Sequence, residues 1–158
     1  MALRARTAGF TLIELMIVVV IATILLSIAI PSYMSQMRES RRTEAKTALL
    51  DLAGREESFF STNGALYTNA AASLGYPAGW VAGNSPNGYY TITVACVAAQ
   101  GAALGCGDPA APTGPAYYLT ATPVGTQARD TQCGTFAVDS LGNQYASGTL
   151  GNAQCWAH

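Results

Sequence analysis

Residues 10–30 form the longest hydrophobic run in the chain, FTLIELMIVVVIATILLSIAI, and Glu14 is its one ionisable group. Apolar positions at every phase predict a helix hydrophobic all round. At about 1.5 Å per residue it would span roughly 30 Å, the thickness of a bilayer's hydrocarbon core. Pro31 ends the run, removes the hydrogen bond to the Ser27 carbonyl, and predicts a kink. From Ser32 to about Phe60 the pattern becomes amphipathic: Met34, Met37, Arg41, Ala45, Ala48, Leu49, Leu52 and Ala53 fall on one stripe. Glu39, Arg42, Glu44, Lys46, Asp51 and Arg55 occupy other faces and read as a solvated surface. Asn63-Gly64 predicts the stop, with Gly64 in the left-handed cap conformation.

Beyond the helix the period changes. Residues 61–88 are turn-rich, with Tyr67, Leu74, Tyr76 and Trp80 as scattered anchors. In YYTITVACVA, Tyr90, Ile92, Val94 and Cys96 alternate with Tyr89, Thr91, Thr93 and Ala95, which predicts a strand. Further strands are predicted from Ala116 (AYYLTAT), over Cys133 to Asp139, and over Gln144 to Ser147, the last two joined by a tight turn. An apolar stripe with no other partner needs a cover. The expected fold is therefore α+β, with the amphipathic half of one long N-terminal helix packed on a four-stranded antiparallel sheet. The expected layout is a basic leader over 1–9, an apolar helix over 10–31, an amphipathic helix over 32–60, a loop over 61–88 and the sheet over 89–158.

Composition narrows the function classes. Only 11% of the 158 residues are charged and the net charge is −1, so the total offers no electrostatic case for a nucleic-acid partner. Cys96, Cys106, Cys133 and Cys155 all follow the apolar run, and an even count in an exported domain reads as two disulfides. Four cysteines permit three connectivities, of which Cys96–Cys106 with Cys133–Cys155 is the economical choice. Zinc is disfavoured, because there is no CxxC pair and the single histidine is His158. Asp108, Asp130 and Asp139 are isolated acids that give no support for calcium. No nucleophile, base or phosphate-loop constellation appears, so neither an enzyme nor a cofactor is expected.

Arg4 and Arg6 precede the apolar run without an acid, like the basic region of a secretory signal. The small residue, however, lies before the run, at Gly9, rather than after it. Glu14 reads from its position as a carboxylate at the lipid interface or as an intramembrane acid that needs a partner. Counting Arg38, Arg41, Arg42 and Lys46 after the run would place the bulk of the chain in the cytoplasm. The cysteines argue for the opposite side.

The stretch Gly9-Phe10-Thr11-Leu12-Ile13-Glu14-Leu15, behind a short basic leader and ahead of an apolar helix, resembles the prepilin signature of type IV pilins. The segment CGTFAVDSLGNQYASG followed by QCW resembles the C-terminal region of PilE-type pilins and of the related DNA-uptake receptor pilins. The resemblance implies the pilin fold, cleavage by prepilin peptidase after Gly9, N-methylation of Phe10, and Glu14 as the assembly carboxylate. It places Pro31 at the helix-bending proline, and the Cys133–Cys155 region at a surface used for contact and adhesion. It also implies an inner-membrane assembly platform, other pilin subunits as partners, and membrane lipid around the helix before assembly. The bulk would lie in the periplasm of a Gram-negative bacterium and later in an extracellular pilus. Three functions follow: a structural pilus subunit, a DNA-binding receptor pilin, or a type II secretion pseudopilin. Beyond Phe60 the only basic side chain is Arg129, which weighs against duplex binding by the sheet. The paired cysteines favour the pilus over the pseudopilin.

Overall fold

The fold is seen in a computed structural model that describes residues 9–68, 70, 72–76, 84–97 and 116–157. Helix α1 runs over Leu12–Thr62 and contributes to two compact units, which divide between Met37 and Arg38. It starts two residues later than the apolar run, because Thr11 takes the cap position. The helix continues through Pro31. It ends where Asn63-Gly64 predicts, with Gly64 at φ +71° and the Ala65 N–H donating to the Phe60 carbonyl.

The globular unit contains the expected antiparallel sheet in the order β1 (Tyr90–Val97), β2 (Ala116–Pro123), β3 (Phe136–Asp139) and β4 (Gln144–Ala146). The register pairs Ile92 with Ala121, Leu119 with Val138, and Ala137 with Tyr145. Alternation puts Tyr90, Ile92, Tyr117, Leu119, Phe136 and Val138 on the inner face, where they join Ala45, Leu49 and Leu52 of α1 in one core. The opposite face of β1 and β2 carries threonines, and the Thr93 and Thr120 hydroxyls bond each other.

Two short elements depart from the sequence reading. Cys133 to Thr135 are not strand, so β3 is shorter than the alternation suggests. A 3-10 helix, η1, spans Gly125–Arg129, and a six-residue helix, α2, spans Gly151–Trp156. The amphipathic stripe also turns further than expected. Arg42 and Lys46, expected on the solvated side, are only 8% exposed, whereas Met34, expected in the stripe, is 43% exposed. Glu56 is fully buried on the same face. Helical phase alone cannot register this, because a long cationic stem covers apolar surface as well as an aliphatic chain does.

Glu56 ties the start of the following loop to α1. Its Oε2 accepts from the Thr68 N–H at 3.0 Å, while Oε1 is buried without a partner among the described residues. Next to it, Tyr67 donates its hydroxyl to Glu57 at 3.0 Å, stacks on Phe60 and meets Tyr117 edge-on. Burial pushes the Glu56 carboxyl up to about 7, the Thr68 amide opposes this, and Glu57 adds to it. A carboxyl that binds its proton more tightly when folded stabilises the fold fully below its unfolded pKa, and that stability is lost as pH rises through the folded value. Stability of the full chain in detergent should therefore fall between about pH 5 and pH 8, by on the order of 2 kcal/mol. Glu56→Gln should flatten that slope, and urea midpoints across the range check it; an unchanged slope would assign the titration to another group.

Candidate functional site

The N-terminal unit has almost no polar chemistry, and what it has is local. Thr11 caps α1: its carbonyl accepts from the Leu15 N–H at 3.2 Å, and its Oγ1 accepts from the Glu14 N–H at 3.3 Å. Thr11-Leu12-Ile13-Glu14 is thus the T-x-x-E pattern of a capping box, with Glu14 at the third helical position. Among the described residues no donor meets the Glu14 carboxylate, so the carboxylate on this helix end is available to a partner. The hydroxyls further along are satisfied within the helix, Thr23 by the Val19 carbonyl and Ser27 by the Ile24 carbonyl, both at 2.7 Å. An 18-residue window of this helix has a mean hydropathy of 2.9, with none of it buried. By length and composition it can cross a membrane. Phe10, just ahead of it, is 80% exposed.

The C-terminal end of the globular unit is a second built surface. A disulfide joins Cys133 and Cys155, with the Cα atoms 5.6 Å apart. Between them the chain folds back on itself, with Gly148, Thr149 and Leu150 donating to the carbonyls of Cys133, Thr131 and Gln132. Gly148 has to be glycine, since a Cβ there would sit 2.1 Å from the Gln132 carbonyl oxygen. The Trp156 ring packs edge-on against Phe136, and its Nε1 donates to the Tyr145 carbonyl at 3.0 Å. Asp139 holds the β3–β4 turn, accepting from the Leu141 and Asn143 amides, the Asn143 side chain and the Tyr145 hydroxyl. Burial alone would raise the Asp139 carboxyl, but these donors together hold it below the usual carboxylate range.

Where η1 meets α1, the Arg42 guanidinium forms a bidentate pair with Asp130 at 2.7 and 2.8 Å and also donates to Gln132 at 2.7 Å. Gln127 Nε2 donates to the Arg38 carbonyl at 3.1 Å and to the Tyr90 hydroxyl at 3.0 Å. The Asp130 hydrogen bond keeps Arg42 firmly charged against the effect of burial. Arg41 lies beside this network, with one terminal nitrogen donating to Thr126 at 3.0 Å and its guanidinium 4.1 Å from the Tyr89 ring centre. Lys46 has no carboxylate partner among the described residues and packs over the Phe136 ring at 5.9 Å. Burial, and then the charge of Arg42, lowers its pKa.

Gly9, Phe10, Glu14 and Pro31 fall in the N-terminal unit, and Cys133 with Cys155 in the globular one, so these candidates form two separate sites. Cys96 lies on β1. Cys106, and with it the Cys96–Cys106 pairing, lies outside the described residues, as do the leader residues before Gly9 and Trp80. Sequence reasoning missed Thr11, although the T-x-x-E spacing was there to be read. It also missed the pairing of Arg42 with Asp130, for which a separation of 88 positions leaves no local signal.

Comparisons with known proteins bear on both surfaces. Residues 31–137 match the family model described as "Type IV minor pilin ComP, DNA uptake sequence receptor". Residues 4–30 match that of the "Prokaryotic N-terminal methylation motif". Over 71 residues the chain is 46% identical to the type IV major pilin protein PilA of Myxococcus xanthus (strain DK1622), a match covering 45% of this chain and 32% of that protein. The chain thus spans about a third of the length of this curated relative. A solved type IV pilin from Shewanella oneidensis aligns with a TM-score of 0.47 at 26% identity, covering 77% of this chain and 99% of that one.

The buried Arg42–Asp130 pair yields a stability test. Asp130→Ala leaves a buried guanidinium without its carboxylate and should cost roughly 3–5 kcal/mol in urea unfolding. The double variant Arg42→Met with Asp130→Leu should recover most of that loss. If the double variant is as unstable as the single one, the cost comes from packing rather than from the unpaired charge.

Proposed function

The chain belongs to the type IV pilins, in the family of the minor pilin ComP, and from that premise we propose that it is a minor pilus subunit that assembles through the apolar half of α1. The carrying observation is the exposed apolar window of α1, none of it buried among the described residues, with one carboxylate at its capped end. Before assembly that window resides in lipid; in a filament, the same windows of neighbouring subunits replace the lipid. Prepilin peptidase removes residues 1–9 and leaves Phe10 as a methylated amino terminus, one residue ahead of the Thr11 cap. Glu14 of an entering subunit then meets the Phe10 ammonium of one already in place. Each group is costly alone in an apolar medium, and the two relieve one another only when the helices are in register. Pro31 supplies the bend at the end of the apolar half, and the assembly platform of the inner membrane feeds subunits in from the periplasmic side. The disulfide-bounded end, Cys133 to Cys155, faces outward as the contact surface. The work of this subunit is assembly and contact, with no catalysis.

A second reading, DNA reception during uptake, is favoured by one observation. The family model that covers residues 31–137 is described as a DNA uptake sequence receptor. In that reading the subunit carries its globular unit to DNA on the pilus, and the helix serves only as its attachment.

Two substitutions test the assembly reading. Gly9→Val should leave full-length prepilin in the membrane, whereas N-terminal sequencing that finds Phe10 would contradict the cut. Glu14→Ala should still be inserted and cleaved but should nearly vanish from sheared filaments. Wild-type amounts there, by quantitative mass spectrometry in a strain with this as its only copy, would remove Glu14 from the assembly role.

A further inference from the structure

The structure gathers cations that the sequence keeps far apart. On α1, Arg38 and Arg41 stand one turn apart and are surface neighbours. The 3-10 helix η1 is fastened to this same turn twice, by Gln127 to the Arg38 carbonyl at 3.1 Å and by Thr126 to Arg41 at 3.0 Å. In a 3-10 helix, residues three apart are eclipsed, so Arg129 projects from the same face as Thr126, about 6 Å further along. Arg38, Arg41 and Arg129 therefore converge at one patch.

None of the three charges is neutralised there. The ion pairs among the described residues are Arg42–Asp130 and Arg55–Asp51, and both Asp130 oxygens are taken up by Arg42, Gln127 and the Gln132 amide. Glu39, exposed on the same turn, offsets at most one charge. Arg41 is also held in place, stacked on Tyr89 and bonded to Thr126. A guanidinium already fixed by its own fold loses little freedom when it binds, and its fork suits phosphate oxygens.

We infer that Arg38, Arg41 and Arg129 form a phosphate-binding patch for the backbone of duplex DNA. This rests on the receptor reading above and locates where that reading would act. An acidic protein partner fits less well, because protein interfaces are centred on apolar and aromatic anchors. Among the described residues, the exposed large apolar ones of this unit, Leu50, Leu141, Tyr145 and Leu150, belong neither to the Arg38–Arg42 turn nor to η1. Contacts confined to phosphates position a duplex without reading its sequence. The patch therefore sets affinity and salt dependence, and leaves sequence preference to other parts of the chain.

The test is fluorescence anisotropy of the full chain in detergent micelles with a mixed-sequence duplex of about 30 base pairs, across a salt series. Three phosphate contacts give a slope of log K against log salt of about −2.7. R38Q/R41Q/R129Q should lose most of that slope, and at least about tenfold in affinity at low salt. R129Q alone should reduce the slope by about 0.9. Its side chain has no partner among the described residues, so this variant keeps the fold. R55Q removes an equal charge from the Asp51 pair elsewhere on α1 and should leave the slope unchanged. If wild type binds but R129Q and the triple variant keep its slope, the patch is overturned and the receptor reading survives. If wild type does not bind duplex at all, both fall. Displacement of the duplex by poly-glutamate at equal charge would assign the patch to an acidic protein instead and overturn the assignment to DNA.

Discussion

Among the described residues, nothing covers the apolar side chains of α1 from Leu12 to Ile30. Helical backbone satisfies its own hydrogen bonds, so such a segment tolerates lipid or a bundle of like helices without further polar partners. Thr23 and Ser27 fit that constraint by folding their hydroxyls back onto carbonyls of the preceding turn. Glu14 is the exception. Its amide is capped by Thr11, while its carboxylate meets no donor among the described residues. In the proposed assembly, that carboxylate is what would let the helix register a neighbour as well as anchor.

The second half of α1 solves a different problem with the same backbone. It must wall the core of a small sheet, and Ala45, Leu49 and Leu52 do so directly. The cations on its buried face are handled in two ways. Arg42 is enclosed by Asp130 and Gln132, which replace its water with three charge-assisted bonds. Lys46 instead sets its ammonium over the face of the Phe136 ring. One position depends on a distant strand connection and the other on an aromatic face of the sheet. A buried position in an amphipathic helix therefore does not identify an apolar residue.

This explains how far the chain could be read in advance. The apolar segment was legible because its signal is contiguous, and the four strands because their alternation is local to each. Gly64 ended the helix where a left-handed cap was expected. The burial of Arg42 was not legible, since it follows from Asp130 reaching α1 across 88 residues. Helix α2 escaped because six residues carry less than two turns of periodicity. Thr11 lay in plain view as the first residue of a capping box, overlooked because attention went to the carboxylate three positions on.

The same distinction between local and assembled signals bears on charge. A net charge of −1 offers no electrostatic case for a polyanion, and a single basic side chain after Phe60 weighs against one on the sheet, while the basic residues of the helix leave it open. In the folded unit the four strands carry one ionisable acid, Asp139, which is occupied in its own turn. The sheet is thus electrostatically quiet, and the other charged side chains among the described residues of this unit lie on α1, on η1 and at Asp130. Because η1 sits on the Arg38–Arg41 turn, the lone Arg129 adds to cations nearly ninety residues earlier instead of standing alone. A polyanion responds to local charge within about a Debye length, roughly 10 Å, and not to the total.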